Sequence, residues 1–368
     1  KAKPVQDFNM KLFSQGEYYQ AMTDDNDADL LTKVLYPADN HNAGKSLRLK
    51  QQYFLCSASI QNIVEDHKHR YGNIADLPKL AAIHLNDTHP AMAVPELMRI
   101  LIDEYFYDWN TAWAITTGTC AYTNHTVLAE ALETWSEDLI ARTIPRIHSI
   151  IKEINRRLCE QLWNSFPGEW AKISRMSIIE HDRIKMANLS VYGGHSVNGV
   201  SALHSEIIKQ SVFRDFYDFT PEKFTNVTNG IAHRRWLNQS NPELAQLLNE
   251  CIGNGYELDG AQLAEFKKFE NDETVLKRLD EIKLIKKQQF AEYAKRKQGL
   301  IIDPNTIFDV QAKRLHEYKR QLLNVLNIID TYLDLQENPD KHIVPKTYIF
   351  GAKAAPGYDM AKKIIKLI

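Results

Sequence analysis

Short apolar runs alternate with stretches of helical periodicity along this chain, and that alternation restricts the fold more than any other feature. Strands that alternate with helices build parallel sheets whose faces are covered by the connecting helices. The expected fold class is therefore α/β. Strands are expected at Ala81–Leu85, Trp113–Thr117, Leu189–Tyr192, Thr306–Val310 and Thr347–Phe350. Helices are expected over Leu47–Asp66, Pro95–Tyr107, Leu128–Leu139, Ile147–Trp163, Ser201–Lys209, Glu265–Lys297 and Leu315–Leu335. No internal repeat or low-complexity segment interrupts the pattern.

A chain of 368 residues with 44% hydrophobic content can bury a large core and has the length of two domains. Around Asn229-Gly230 it leaves the first alternating block, and helical material with Gly253-Asn254-Gly255 precedes the next strands. The expected domains are 1–229 and 230–368. A formal charge of −2 carries no basic bias, so nucleic acid is not an expected partner. Cys56, Cys120, Cys159 and Cys251 are far apart and lack CxxC or Cys/His ligand spacing, which reads as reduced core thiols with no disulfide framework and no structural zinc. No apolar run approaches a membrane span and no signal-peptide pattern opens the sequence, so a soluble cytoplasmic protein is expected. The start at Lys1 without methionine and the end inside the amphipathic segment Met360–Ile368 give the further expectation of an internal fragment.

Several expected strand ends run into polar turns: Asn86-Asp87-Thr88-His89-Pro90, Tyr122-Thr123-Asn124-His125-Thr126, Tyr192-Gly193-Gly194-His195-Ser196-Val197-Asn198-Gly199, and later Thr228-Asn229-Gly230. Ligands of open α/β sheets bind outside the carboxyl ends of the strands, so these turns are expected to converge on one cleft. Their Asn, Asp, His and Thr side chains supply donors and acceptors suited to hydroxyl groups. Each turn also has a plain structural reading. Asp87 or Thr88 can cap the following helix with Pro90 in its first turn, and His125 or His195 taken singly reads as a satisfied core histidine. Recurrence at successive strand ends favours the functional reading.

Lys313-Arg314-Leu315-His316-Glu317-Tyr318-Lys319-Arg320 follows the expected strand Thr306–Val310. Most charge runs on helices are solvated faces. Here Leu315, Leu322, Leu326 and Ile329 form an apolar stripe with Tyr318 and Val325, which places Lys319 at its edge and Arg314 at the other edge of a helix that begins there. A partly desolvated ammonium needs an anion, a guanidinium fork suits phosphate, and helix N-termini favour anions. A phosphate site is expected at this handover from strand to helix.

Two tempting motifs fail. Ala43-Gly44-Lys45-Ser46 resembles the end of a P-loop, but Asp39 stands where its first glycine belongs. Gly253-Asn254-Gly255 lacks the third glycine of a dinucleotide fingerprint, since Leu258 fills that place.

Together these motifs resemble the α-glucan phosphorylases, the glycogen and maltodextrin phosphorylase family. The likeness runs through Tyr36-Pro37-Ala38-Asp39-Asn40, Leu85–Pro90, Ala121–Leu128, His195–Val200, Thr228–Ile231, Lys313–Gln321 and Ala352-Lys353-Ala354-Ala355-Pro356-Gly357-Tyr358. The resemblance implies two Rossmann-like domains of glycosyltransferase-B type, both incomplete here: 1–229 as the later part of an N-terminal glucan domain and 230–368 as the opening of a C-terminal pyridoxal-phosphate domain. It implies reversible phosphorolysis of α-1,4-glucans to glucose 1-phosphate by a cytoplasmic, homodimeric full-length protein. Pyridoxal phosphate is the implied cofactor, acting through its phosphate, with its Schiff-base lysine outside this chain. The chain by itself is expected to be inactive.

Carried over by motif, Arg314 and Lys319 hold the substrate phosphate and Lys313 approaches the cofactor phosphate. His125 and Asn229 orient the glucosyl unit, with the His125 backbone carbonyl facing the charge that develops at the anomeric carbon. Asn40, Asp87, His89 and Tyr318 line the same pocket, and Trp236 lies near the cofactor ring. Positioned charges suit such a reaction better than a protein nucleophile. No local carboxylate pair marks a glycosidase.

Two departures stand out. His41 occupies the gate position where animal members carry an aromatic residue that stacks on the counterpart of Tyr358. Ala232-His233 replaces a more usual Thr-Pro after Asn229-Gly230-Ile231. Competing readings are a sugar-nucleotide-dependent glycosyltransferase, which needs a nucleobase pocket, and a noncatalytic glucan-binding module. A metal hydrolase using His84, His89, His125 or His195 with Asp87 lacks a compact ligand spacing.

Overall fold

The structure, a computed structural model, describes residues 11, 14–17, 23–128 and 131–368. Contacts divide the chain into two compact units, Lys1–Asn229 and Gly230–Ile368. Both are mixed α/β structures with parallel strand pairing.

In the first unit, α1 (Thr23–Lys33) and α2 (Asn42–Tyr71) precede β1 (Ile83–Asn86) and α3 (Ala93–Arg99). Then come α4 (Trp109–Thr119), β2 (Cys120–Thr123), β3 (Thr134–Ser136), α5 (Glu137–Thr143) and α6 (Pro145–Ser165). They are followed by β4 (Ile179–Glu180), β5 (Arg183–Lys185), α7 (Met186–Tyr192), β6 (Val197–Gly199), α8 (Ala202–Ile207) and β7 (Phe224–Asn226). The main sheet is parallel throughout, in the order β1-β2-β6-β7, and β3-β5-β4 form a small antiparallel sheet.

Helix α6 shows how the core forms. Ile147, Ile150, Ile151, Ile154, Leu158 and Leu162 recur every three or four residues and are all buried. Each such side chain contributes roughly 1.5–3 kcal/mol of burial. One charge lies inside this core. Glu96 is fully buried, and its carboxylate accepts from Tyr53 Oη at 2.9 Å, Ser57 Oγ at 2.8 Å, and Arg99 Nε and Nη2 at 2.9 and 2.8 Å. These bonds tie α2 to α3, and burial beside that carboxylate pushes the Tyr53 phenol up to about 12.

Three expected elements of this unit differ. Trp113–Thr117 lies in α4, because Asp108 Oδ1 caps Asn110 and Thr111 at 2.9 and 3.2 Å and starts a helix whose buried face is Ala112, Ile115, Thr116 and Thr119. The strand is the next segment, β2. Leu189–Tyr192 is helical as part of α7, where all seven residues are buried. A helix buried on every side loses its polar face, and its apolar run then reads like a buried strand. The expected helix Leu128–Leu139 is replaced by β3 and the start of α5, since pairing with β5 overrides local preference; Ala129 and Glu130 lie outside the described residues.

The second unit contains α9 (Pro242–Ile252), α10 (Glu273–Gln298), β8 (Ile307–Ala312), α11 (Gln321–Glu337), β9 (Lys346–Gly351) and α12 (Asp359–Leu367). Strands β8 and β9 pair in parallel across six residues, joined by α11 as a βαβ unit. The expected helix over Glu265–Lys297 begins only at Glu273, where Asp272 Oδ1 caps Thr274 and Val275 at 2.9 and 3.1 Å; Glu265–Phe269 belong to a 3₁₀ stretch. Gly299 closes α10 in the left-handed region at φ 72°.

The expected helix over Leu315–Leu335 also begins late. Arg320 is left-handed at φ 61°, so the backbone breaks there and α11 starts at Gln321. Leu315 and Val325 are buried, whereas Leu322, Leu326, Ile329 and Tyr318 are exposed. The expected stripe is therefore discontinuous. Cys56 and Cys120 are buried, Cys159 and Cys251 half-buried, and all four are free thiols. Among the described residues no helix is long and apolar enough to cross a membrane.

Candidate functional site

The carboxyl edge of the main sheet gathers most of the polar turns. Asp87 N–H donates to the Thr123 carbonyl at 3.0 Å, Asn124 N–H to the Asn198 carbonyl at 3.0 Å and Asn229 N–H to the Val200 carbonyl at 3.0 Å. Adjacent strand ends are thus stitched together. Below them, Thr123 Oγ1 donates to Asn198 Oδ1 at 2.6 Å and meets His84 Nε2 at 2.6 Å. Since the hydroxyl proton is committed to Asn198, His84 is the donor to Thr123.

His125 is exposed at this edge, and its Nε2 lies 2.6 Å from Asn86 Oδ1. The core-histidine reading fails for it. Its neighbour Asn124 is fully buried and accepts the Thr126 N–H at 3.1 Å.

The turn after β1 is held in an uncommon conformation. Asp87 is left-handed at φ 65°, with Oδ1 accepting the Thr88 N–H at 2.6 Å. Neither Asp87 nor Thr88 caps the following helix, which starts at Ala93 without a side-chain cap. Thr88 Oγ1 instead donates to Glu133 Oε2 at 2.9 Å, and Gln52 Nε2 donates to Glu133 Oε1 at 2.9 Å. Beside this turn, the His89 ring meets Tyr36 edge-on at 6.0 Å, which brings in the loop that carries Asn40. Arg48 Nη1 pairs with Asp39 at 2.8 Å and lies over the Tyr36 ring. His41 Nδ1 caps α2 by accepting the Gly44 N–H at 3.0 Å. A side chain at Gly44 would meet the Ala38 carbonyl oxygen at 1.8 Å, so only glycine permits the loop to fold back there. Three buried polar atoms in this neighbourhood, His89 Nδ1, Arg48 Nε and Gln52 Oε1, have no hydrogen-bond partner among the described residues. Unsatisfied groups of this kind mark a place prepared for a polar ligand or water.

One expected turn does not join the edge. Because α7 precedes it, Gly193-Gly194-His195-Ser196 leads into β6 instead of following a strand, and His195 N–H donates to the Cys120 carbonyl at the start of β2. Only Asn198 and Gly199 from this segment reach the carboxyl edge.

In the second unit, Lys313–Arg320 is a loop with one 3₁₀ turn, Glu317–Lys319. Lys319 therefore does not sit on a helix stripe, and Arg314 does not flank one. The loop is nevertheless fixed. Buried Gln321 donates through Nε2 to the Arg314 and Lys313 carbonyls at 3.1 and 3.4 Å, Leu315 N–H donates to the Lys353 carbonyl at 3.0 Å, and Gln311 Nε2 donates to the Lys319 carbonyl at 3.2 Å. Tyr358 Oη donates to Glu317 Oε2 at 2.5 Å, which engages the only carboxylate of the loop. Lys313, Arg314, Lys319 and Arg320 form no ion pair among the described residues. Tyr318 and Trp236 are exposed, Tyr318 beneath the Lys319 ammonium at 5.5 Å from its ring centre.

Sequence reasoning missed Glu133, His204 and Gln321 as supports, and placed Asn124 in a polar turn without a role of its own. All but Glu133 are buried polar residues, identified here by their hydrogen bonds to the backbone or side chains of the turns. The only local signal was Ser201, whose hydroxyl caps His204 N–H at 3.2 Å. Among the described residues no group of three or more His, Cys, Asp or Glu side chains is placed to hold a metal ion.

Comparison with known proteins matches the carbohydrate phosphorylase family model over residues 1–368. The chain is 48% identical to rabbit (Oryctolagus cuniculus) glycogen phosphorylase, muscle form, across 100% of its own length and 45% of the relative's. The human muscle form is 47% identical and the brain form of Rattus norvegicus 47%, with the same coverage. The chain thus spans under half the length of the curated relatives it matches.

Proposed function

The chain belongs to the carbohydrate phosphorylase family, and from that premise we propose that the full-length protein catalyses reversible phosphorolysis of α-1,4-glucans, releasing glucose 1-phosphate. The observation that carries the proposal is the loop Lys313–Arg320, whose four cations have no ion-pair partner among the described residues while its backbone is pinned by Gln311, Gln321 and Lys353. A charged loop fixed without its own counter-ions is preorganised for an anion. Arg314 and Lys319 receive the substrate phosphate, each charge-assisted hydrogen bond contributing about 1.5–3 kcal/mol.

In the first unit, His125 and Asn229 orient the glucosyl residue, while Asn40, Asp87 and His89 offer it hydrogen bonds. In the second unit, Tyr318 is a substrate-binding residue. Attack by phosphate on the anomeric carbon builds positive charge there, and the His125 backbone carbonyl faces it. We assign both units to the glycosyltransferase-B type and the full-length protein to a cytoplasmic homodimer.

Pyridoxal phosphate fits the same donor set, because Lys313 is a further exposed ammonium without an ion pair among the described residues and Trp236 exposes a planar ring. When bound, the cofactor would supply a phosphate group able to act as proton donor and acceptor. Lys313 would hold that group and Trp236 would lie against its ring.

The test is direct. Full-length protein supplied with cofactor, maltodextrin and phosphate should form glucose 1-phosphate. No product, with phosphate binding intact, would overturn the assignment. Turnover of a nucleotide sugar instead would identify a different glycosyltransferase.

A further inference from the structure

His204 lies between the ends of β2 and β6, and its two ring nitrogens have different tasks. Val200 N–H donates to Nδ1 at 3.1 Å, so Nδ1 is an acceptor and carries no proton. Nε2 therefore carries the proton and donates to Asn124 Oδ1 at 3.1 Å. The same Asn124 oxygen accepts the Thr126 N–H at 3.1 Å, and Asn124 Nδ2 donates to Tyr122 Oη at 3.1 Å. His204 is 7% exposed and Asn124 fully buried, so both are screened from competing water. Burial lowers the pKa of His204, opposed by its contact to the Thr126 backbone and reinforced by the nearby His125.

The consequence falls on His125. The residues on either side of it meet at one amide oxygen, and His204 is the second donor to that oxygen. Among the described residues, the side chain of His125 itself has only its hydrogen bond to Asn86. Its backbone direction is thus set from beneath, by a histidine 79 positions further along the chain.

We propose that His204 is a positioning residue for the reaction assigned above: through Asn124 it fixes the backbone of His125, and with it the carbonyl directed at the anomeric carbon. This rests on the phosphorolysis reading. A merely structural pin at the sheet edge would serve through either of its two hydrogen bonds, whereas a positioning role depends on the one to Asn124.

Two substitutions separate the bonds. Glutamine places its amide nitrogen near the position of Nε2 and can keep the Asn124 contact; asparagine places its oxygen near Nδ1 and keeps the Val200 contact. In the full-length protein His204→Asn should lower kcat for phosphorolysis at least about tenfold with glucan KM within about twofold, while His204→Gln stays within about threefold of wild type. Amide exchange of the Cys120–Leu128 peptide should accelerate in His204→Asn and stay near wild type in His204→Gln. Equal kcat in both variants, or unchanged exchange in His204→Asn, would overturn the proposal. A wild-type protein that makes no glucose 1-phosphate would refute the reaction instead, and the exchange comparison would still decide whether His204 holds the turn.

Discussion

Both units pair ionic groups internally, but they differ in one charged segment. In the first, ionic groups are paired within the unit: Glu96 with Arg99, Asp103 with Arg146, Arg175 with Asp215, and Glu180 with Lys185. In the second, four cations cluster on one fixed loop and pair with nothing among the described residues. Packing differs in parallel. Strand β1 alternates buried and exposed residues beneath an extensive core, whereas β8 and β9 contain no buried residue, and Leu323, Leu326 and Leu333 of α11 are exposed. Parallel strands are ordinarily covered on both faces. Internally matched charge contributes to stability, whereas unmatched charge held in place is preorganised for an anion.

That contrast can be broken at its strongest point first. Glu96→Ala removes the acceptor of Arg99 Nε and Nη2 and of two hydroxyls, leaving the guanidinium only Glu104, and should cost about 3–5 kcal/mol in chemical denaturation. Glu250→Ala, which removes the partner of Arg278 on the surface of the second unit, should leave the midpoint unchanged. Equal losses would erase the distinction. Next in size is Arg314→Ala in the full-length protein. Its rate of phosphorolysis should fall about a hundredfold or more, with no change in melting temperature. Arg314→Lys should recover little of it, since a point charge lacks the bidentate fork.

Backbone closeness provides a smaller effect. A methyl group at Gly199 would meet Ser205 Oγ at 2.6 Å and its backbone nitrogen at 2.8 Å, while one at Gly230 meets nothing within 4 Å. Gly199→Ala should therefore destabilise by about 1–3 kcal/mol, and Gly230→Ala by less than about 0.5 kcal/mol, read from paired denaturation curves.

The effect with the narrowest range is confined to alkaline pH. Lys223 donates to the Val191 and Tyr192 carbonyls at 3.3 and 3.2 Å, and desolvation brings its ammonium down to about 8 from an ordinary 10.5. Between those values the folded protein binds fewer protons than the unfolded chain, so this group makes stability rise with pH across that window. Below pH 8 both states are protonated and the contribution is flat. Lys223→Met should abolish the rise. An identical pH dependence in the variant would show that Lys223 does not titrate there.

Much of the fold was legible where local signals are strong. The apolar spacing of α6 and the β-rich runs at Ile83–Leu85, Ile307–Val310 and Thr347–Phe350 announce their elements through side-chain periodicity. The polar strings around Asp87, His125 and Asn229 were also visible, because strand-end turns concentrate residues that hydrogen-bond. By contrast, the helix over Met186–Tyr192 was hidden by complete burial, and the start of α11 by a single left-handed residue, Arg320.

By itself, then, the sequence determined the α/β class, the polar turns and the cationic string, since composition and spacing carry those directly. Only the tertiary structure decided which turns share an edge, that Lys313–Arg320 is a pinned loop in place of a helix, and that Gln321, Glu133 and His204 support the exposed groups. The reason is physical: a hydrogen bond between residues distant in the chain, such as His204 to Asn124 or Thr88 to Glu133, leaves no periodic trace and forms only when folding removes both partners from water.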